Sequence, residues 1–309
     1  MTHFISISSS RKMVCSVALS LLVCVLGASV LLTGSRFYAR AENHIGSAVL
    51  PSEDSVGTLG AGTTYANCRF GVGRVYEPLS HYDISGLNLG WYLDWRSVVS
   101  PEQLYGMEYA QMIGVGETWN APEGRYDVSY SPSGQDLVDR VQANPGSYWS
   151  IGNEPDCVFQ DNMHPESYAR VYHEAYEFIK AYDPTAKVVA GNIVQPTPVR
   201  MVYLDLVLQA YRDLYGETMP ADAWGVHSFI LREVTYGSFP DSYWGSDVPP
   251  GVDVTHGELY ELDQTDDLQI FQDRVLEFRK WMVLSGYREI PLLITEYGSL
   301  VPDNGSYEG

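Results

Sequence analysis

The sequence predicts an α/β fold, a (β/α)8 barrel that stops before its last strand. Three observations lead there. From Arg69 onward, short apolar runs alternate with amphipathic segments of helical period, the pattern of a parallel sheet covered by helices. About 240 residues of this alternation suit one such barrel. The competing doubly wound sheet usually carries a Gly-rich phosphate loop after an early strand. Here Phe70-Gly71-Val72-Gly73 has two glycines, no third and no clear helix behind it.

The apolar runs are 70–75, 89–95, 109–114, 147–152, 187–191, 223–229 and 291–295, each read as a strand. Helices are expected between them. In 165–182, Tyr168, Tyr172, Ala175, Ile179 and Tyr182 share one face, and Asp183-Pro184 ends the segment because proline has no N–H to continue it. Segment 201–215 places Leu204, Leu208, Tyr211 and Tyr215 together before Gly216. Segment 268–282 does the same with Leu268, Phe271, Val275, Phe278 and Met282 before Gly286. A shorter helix is read over 135–142, with Leu137, Val138 and Val141 inward. Seven runs precede Gly309 where a barrel has eight strands, so the barrel over residues 69–309 is expected to be C-terminally incomplete.

Ahead of the barrel, Arg11-Lys12, an uncharged stretch 13–33 and Ala39-Arg40-Ala41 have the order of a secretory signal. The stretch is also long enough to span a bilayer. Residues 1–41 are therefore read as a signal peptide or a signal anchor, with membrane anchoring through 13–33 in the second case. Either way the body is secreted or held outside the cytoplasm. Residues 42–68, rich in Gly, Ser, Ala and Thr, read as a flexible linker.

The chain carries 19 Lys+Arg against 39 Asp+Glu, a net charge of -20. That excludes an electrostatic nucleic-acid binder, which needs a cationic face to displace counterions. Cys68 and Cys157 are the only cysteines of the body, so one disulfide is possible but not implied. No metal site and no cofactor are expected. The histidines lack HxxxH or HExxH spacing, the acidic run 263–267 lacks the rhythm of a calcium loop, and no Gly-x-Ser-x-Gly elbow occurs.

Two strand ends hold the candidate chemistry. Tyr148-Trp149-Ser150-Ile151-Gly152-Asn153-Glu154-Pro155 ends an apolar run in a carboxylate, and Pro291-Leu292-Leu293-Ile294-Thr295-Glu296-Tyr297-Gly298 does so again. The carboxyl ends of barrel strands converge over the axis, where two glutamates can act as nucleophile and acid/base on a glycosidic bond. Either residue alone is equally readable as a loop carboxylate that caps a helix or pairs with arginine. Asp94 and Trp95 end the second run, as hydroxyl ligand and sugar-stacking ring, or else as an Asp94–Arg96 pair with a packed tryptophan. His227 ends the sixth run, as a partner of the site or a structural histidine. Trp244 lies in the long segment 232–267, with Tyr236, Phe239, Tyr243 and Tyr260, as a ring that covers substrate or as part of a separate cluster.

Gly152-Asn153-Glu154-Pro155 and Ile294-Thr295-Glu296-Tyr297-Gly298 resemble the two catalytic segments of clan A glycoside hydrolases. The segments at 89–95 and Trp224-Gly225-Val226-His227 are most similar to the small barrels related to endo-β-1,3-glucanases of glycoside hydrolase family 128. The resemblance covers roughly residues 69–300. It implies a retaining β-glycosidase acting on an oligo- or polysaccharide, with Glu154 as acid/base after the fourth strand and Glu296 as nucleophile after the seventh. It further implies Asn153 as a donor to the sugar 2-hydroxyl. An ionised Glu296 needs donors, and Tyr297, Asn153 and His227 are the candidates. Glu154 should then have the raised pKa and Glu296 should stay ionised. A non-catalytic barrel that binds glycan at the cell surface is the alternative from a different class.

Overall fold

Parallel strands follow one another in chain order, as the alternation of runs predicts. The structure is a computed structural model and describes residues 67–73, 77–235, 237 and 244–300. The signal or anchor (1–41), nearly all of the linker, and Tyr236, Phe239 and Tyr243 lie outside the described residues. Among those described, no helix is long and apolar enough to cross a membrane. The linker reading runs slightly too far, because Asn67 and Cys68 already belong to the first strand.

The first sheet holds β1 (Asn67–Gly73), β2 (Leu89–Leu93) and β3 (Glu108–Tyr109), all parallel. The second holds β4 (Gln111–Asn120), β5 (Arg125–Ser131), β6 (Tyr148–Ile151), β7 (Lys187–Ile193), β8 (Ala223–His227) and β9 (Leu292–Glu296), in the order β5-β4-β6-β7-β8-β9. The two sheets meet where Ala110 donates its N–H to the Tyr92 carbonyl and Met112 donates to the Arg96 carbonyl. Strand residues from both sheets, Trp91, Glu108, Tyr148, Lys187, Leu293 and Thr295, line a single interior cavity of about 360 Å³. The seven predicted runs are thus the parallel strands β1, β2, β3–β4, β6, β7, β8 and β9.

A closed (β/α)8 barrel is not observed. Among the described residues β9 pairs with β8 alone, and no eighth parallel strand is present. The hairpin is a second departure. β4 runs six residues past the predicted Gly114 and folds back through β5 in antiparallel register, Gly114 opposite Ser131 and Asn120 opposite Arg125. The alternating pattern of residues 125–131 is that of a strand with one face on the core, and Val128 and Tyr130 pack there.

The helices are α1 (Gly134–Ala143), α2 (Pro165–Tyr182), α3 (Pro198–Tyr215) and α4 (Leu268–Leu284). Proline opens α2 and α3, where its missing N–H has no helical partner in any case. Asp267 caps α4 by accepting from the N–H groups of Gln269 and Ile270. α2 buries Tyr168, Tyr172, Ala175 and Ile179 of its predicted face, while Tyr182 at its end is exposed, and α3 buries Tyr203, Leu204, Val207 and Tyr211. Together with Ile113, Trp149, Val188 and Trp224 from the strands they form the main core. α4 departs from its predicted stripe. Phe278, Trp281 and Met282 pack inward, with Trp281 edge-on to Trp224, whereas Leu268 is exposed. Only the C-terminal half of α4 lies against the sheet core, so the period alone overstates its buried length.

Candidate functional site

The parallel register delivers the two predicted carboxylates to one rim. β6 ends at Ile151, and Gly152 turns at φ +85; a Cβ there would sit 3.0 Å from Val115 Cγ2. Two residues later Glu154 itself adopts φ +48, its N–H bonded to the Asn192 carbonyl at 2.9 Å. β8 ends in His227, which is paired in register with Glu296 at the end of β9. Left-handed backbone recurs at Trp95, past the end of β2, and at Asn192, near the end of β7. Such conformations are costly for residues other than glycine and gather at functional sites.

His227 is fully buried and stands between the two glutamates. Its Nδ1 lies 2.8 Å from Glu154 Oε1, and its Nε2 lies 3.4 Å from Glu296 Oε1. One carboxylate oxygen of each glutamate and one nitrogen of His227 all fall within 4.8 Å of one another. The indole N–H of Trp95 donates to Glu296 Oε1 across 201 residues of sequence. Glu154 is buried, and the Glu296 side chain is 18% exposed.

Burial raises the Glu296 carboxyl above its ordinary range, and Glu154 adds to that rise. The charge of His227 and the Trp95 hydrogen bond oppose it. His227 is raised as well, because Glu296 and Glu154 outweigh its burial. Glu296, expected simply to stay ionised, is pushed upward by burial, and its ionised form depends on the charge of His227 and the hydrogen bond of Trp95. Of the three donors expected for Glu296, only His227 approaches it, at 3.4 Å and as a charge rather than through a hydrogen bond; the hydrogen bond comes from Trp95.

The other site residues divide differently from expectation. Asn153 lies beside Glu154, its N–H held by Asp161 Oδ2 at 2.7 Å and its Nδ2 3.4 Å from Gln160 Oε1, while its own Oδ1 is buried without a partner. Asp94 makes the local pair that the sequence left open: its buried carboxylate accepts from Arg96 Nη2 at 2.7 Å and from the Tyr109 hydroxyl. Tyr297 turns aside onto Phe271, ring centroids 4.6 Å apart. Trp244 is buried among Cys157, Val194, Ile230, Leu231 and Tyr260, with its indole N–H on the Leu300 carbonyl at 2.7 Å, so it packs in the separate cluster that the sequence left open. Cys157 is a free buried thiol.

Sequence reasoning missed the frame beneath the site. Arg200 of α3, fully buried, donates to Asp156 Oδ2 at 2.6 Å, the Asp156 carbonyl at 3.0 Å, Glu233 Oε1 at 2.6 Å, Ser246 Oγ at 2.9 Å and the Asp247 carbonyl at 2.6 Å. This one guanidinium ties the turn after Glu154 to the segment that follows β8. Burial pushes the Asp156 carboxyl up to about 6 even with Arg200 beside it. Asp161 is the second missed anchor, accepting from the N–H groups of Asn153 and Val115. An aspartate two residues past Glu154 was the one available hint; nothing in the local pattern of Arg200 marks it as buried.

No protein-family model matches the chain, and no curated protein matches it. Among solved structures it is similar to a glycoside hydrolase family 128 (subgroup II) endo-β-1,3-glucanase from Pseudomonas viridiflava, at 22% identity over 55% of this chain and 62% of that one, with a TM-score of 0.37. It is also similar to a curdlan-specific exo-β-1,3-glucanase of the same family (subgroup III) from Blastomyces gilchristii, at 19% identity over 70% and 71% of the two chains, with a TM-score of 0.39. A monomeric β-xylosidase from Caulobacter crescentus gives 14% identity over 75% of this chain and 52% of that one, with a TM-score of 0.42. The chain thus spans less than two thirds of the first of these structures.

Proposed function

We propose that this protein is a retaining β-glycosidase that hydrolyses a β-linked oligo- or polysaccharide outside the cytoplasm. One observation carries the reading: Glu154, past β6, and Glu296, at the end of β9, bring carboxylate oxygens within 4.8 Å of one another at the carboxyl ends of the parallel strands, with His227 between them. Retaining pairs stand about 5–5.5 Å apart, whereas inverting pairs leave about 6.5–9.5 Å for a water. β-1,3-Glucan is the first substrate to try, because the motifs of the chain resemble those of endo-β-1,3-glucanases.

The site supplies a route to unlike glutamates. With His227 protonated, its Nδ1–H faces Glu154. Transfer of that proton over 2.8 Å to Glu154 Oε1 leaves a neutral acid and a neutral imidazole. The imidazole then keeps its proton on Nε2, 3.4 Å from Glu296, which holds the negative charge with the Trp95 indole as its hydrogen-bond donor. Glu296 attacks the anomeric carbon as the C1–O bond breaks, and the leaving oxygen takes the proton of Glu154. Once Glu296 is esterified its charge is gone. Glu154 then accepts a proton from water, whose oxygen attacks C1 and releases Glu296.

Hydrolysis of laminarin and aryl β-glucosides by the full chain tests this. We expect β-anomeric product from β-substrate by NMR, loss of at least about 1,000-fold in kcat for Glu154→Gln and Glu296→Gln on the polysaccharide, and partial return of Glu296→Ala turnover with azide. An inverted product, or full activity in Glu296→Gln, refutes the reading. Tight glycan binding without turnover assigns the chain to a binding role instead.

A further inference from the structure

We propose that Trp95 is a positioning residue whose indole N–H holds Glu296 in its charged, attacking form, rather than a ring on which sugar stacks. The proposal deepens the glycosidase reading and rests on it for its kinetic part. Three independent features place the indole. Trp95 follows β2 at φ +57, a conformation that turns its side chain across the rim. Its ring passes over Gly73 of β1, where a Cβ would stand 3.0 Å from Cη2, so the strand keeps a glycine under the ring. Its one polar atom ends on Glu296 Oε1.

The chemistry of the donor fits the task. Indole has one N–H and no acceptor, so it favours negative charge on the oxygen it faces and cannot take the proton away. The titratable groups facing Glu296 are Glu154, past β6, and His227, at the end of β8. On the β2 side the neighbouring Arg96 is turned to Asp94. Trp95 is thus the donor to Glu296 that carries no charge and does not change state with pH. It acts twice in a double displacement, once on the attacking carboxylate and again when the carboxylate charge returns as the ester breaks.

Trp95→Phe keeps a ring and removes the donor. We expect kcat/KM to fall about 10- to 100-fold, with the acid limb of its pH profile moved upward by about one pH unit. KM for short aryl glycosides should stay within about twofold, because the interaction is with the enzyme's own carboxylate. Gly73→Ala, which pushes the ring from below, should move the limb the same way. A second readout does not need turnover. The wild-type minus Trp95→Phe fluorescence difference should titrate with Glu296, and that titration should vanish in a Glu296→Gln background. An unmoved acid limb with a loss confined to KM, or a difference titration that persists in Glu296→Gln, overturns the proposal. If no glycoside is hydrolysed while the titration behaves as stated, the glycosidase reading falls and the Trp95–Glu296 coupling stands.

Discussion

Replacing Arg200 with methionine should be among the most destabilising single changes in the chain. The perturbation keeps a long side chain in α3 but deletes a guanidinium that is fully buried and donates to two carboxylates, one hydroxyl and two carbonyls. Asp156 and Glu233 would remain, both with no exposure to water. They are not left bare. Asp156 Oδ1 still accepts from the Val194 N–H at 3.2 Å, and Glu233 from Thr197 Oγ1 at 2.7 Å and the Glu258 N–H at 2.9 Å. Breaking a buried pair from one side costs about 3–5 kcal/mol, because a charge stays behind without its partner. With an m-value of about 2–3 kcal/mol per M, the urea midpoint should fall by about 1–2.5 M. The sign with pH follows from Asp156. Its folded carboxyl already sits at about 6, above its ordinary 3.8, so the folded state binds the extra proton as pH falls through 6. Without Arg200 that pull strengthens, and the deficit of the variant should shrink between pH 7 and 5. Arg200→Met combined with Asp156→Asn and Glu233→Gln should recover at least half of the loss. A single variant that loses under about 1 kcal/mol, or whose deficit is flat with pH, would refute the reasoning.

Two further outcomes follow from the corrected roles. His227 has a folded pKa raised above 6.5 by the two glutamates, so its contribution to stability is full below pH 6.5 and is lost as pH rises through the folded value. Urea unfolding should therefore give a wild-type curve that declines above pH 6.5, and His227→Gln should lose that decline. Trp244→Ala should cost about 3–5 kcal/mol by opening the second cluster, with KM on short substrates unchanged; a raised KM at wild-type stability would return Trp244 to the substrate.

The inner parallel strands β6, β7 and β8 were legible because each is a buried run with turn residues at its ends, and burial on both faces leaves a continuous apolar signature. Glu154 and Glu296 were legible for the same reason: a charge directly after such a run has one place to go, the rim. The β4–β5 hairpin was less so, since its outer half, Glu117 to Asn120, mixes polar and aromatic residues without a run. The Arg200 network was hidden because its members lie on α3, after β6 and in the segment after β8, and no local period connects them. Trp95 and Trp244 look alike in sequence. A left-handed backbone and a glycine across the way turn one toward a carboxylate, and an apolar pocket encloses the other.

Glu154, Trp95 and Asn192 each occupy a backbone shape that glycine would adopt with less resistance. Exchange to glycine would relax the loop and at the same stroke erase the carboxylate, the indole or the amide that the loop exists to aim. Random screening for thermal tolerance would therefore tend to select inert proteins at these three positions, so any hardened variant of this chain has to draw its gains from elsewhere.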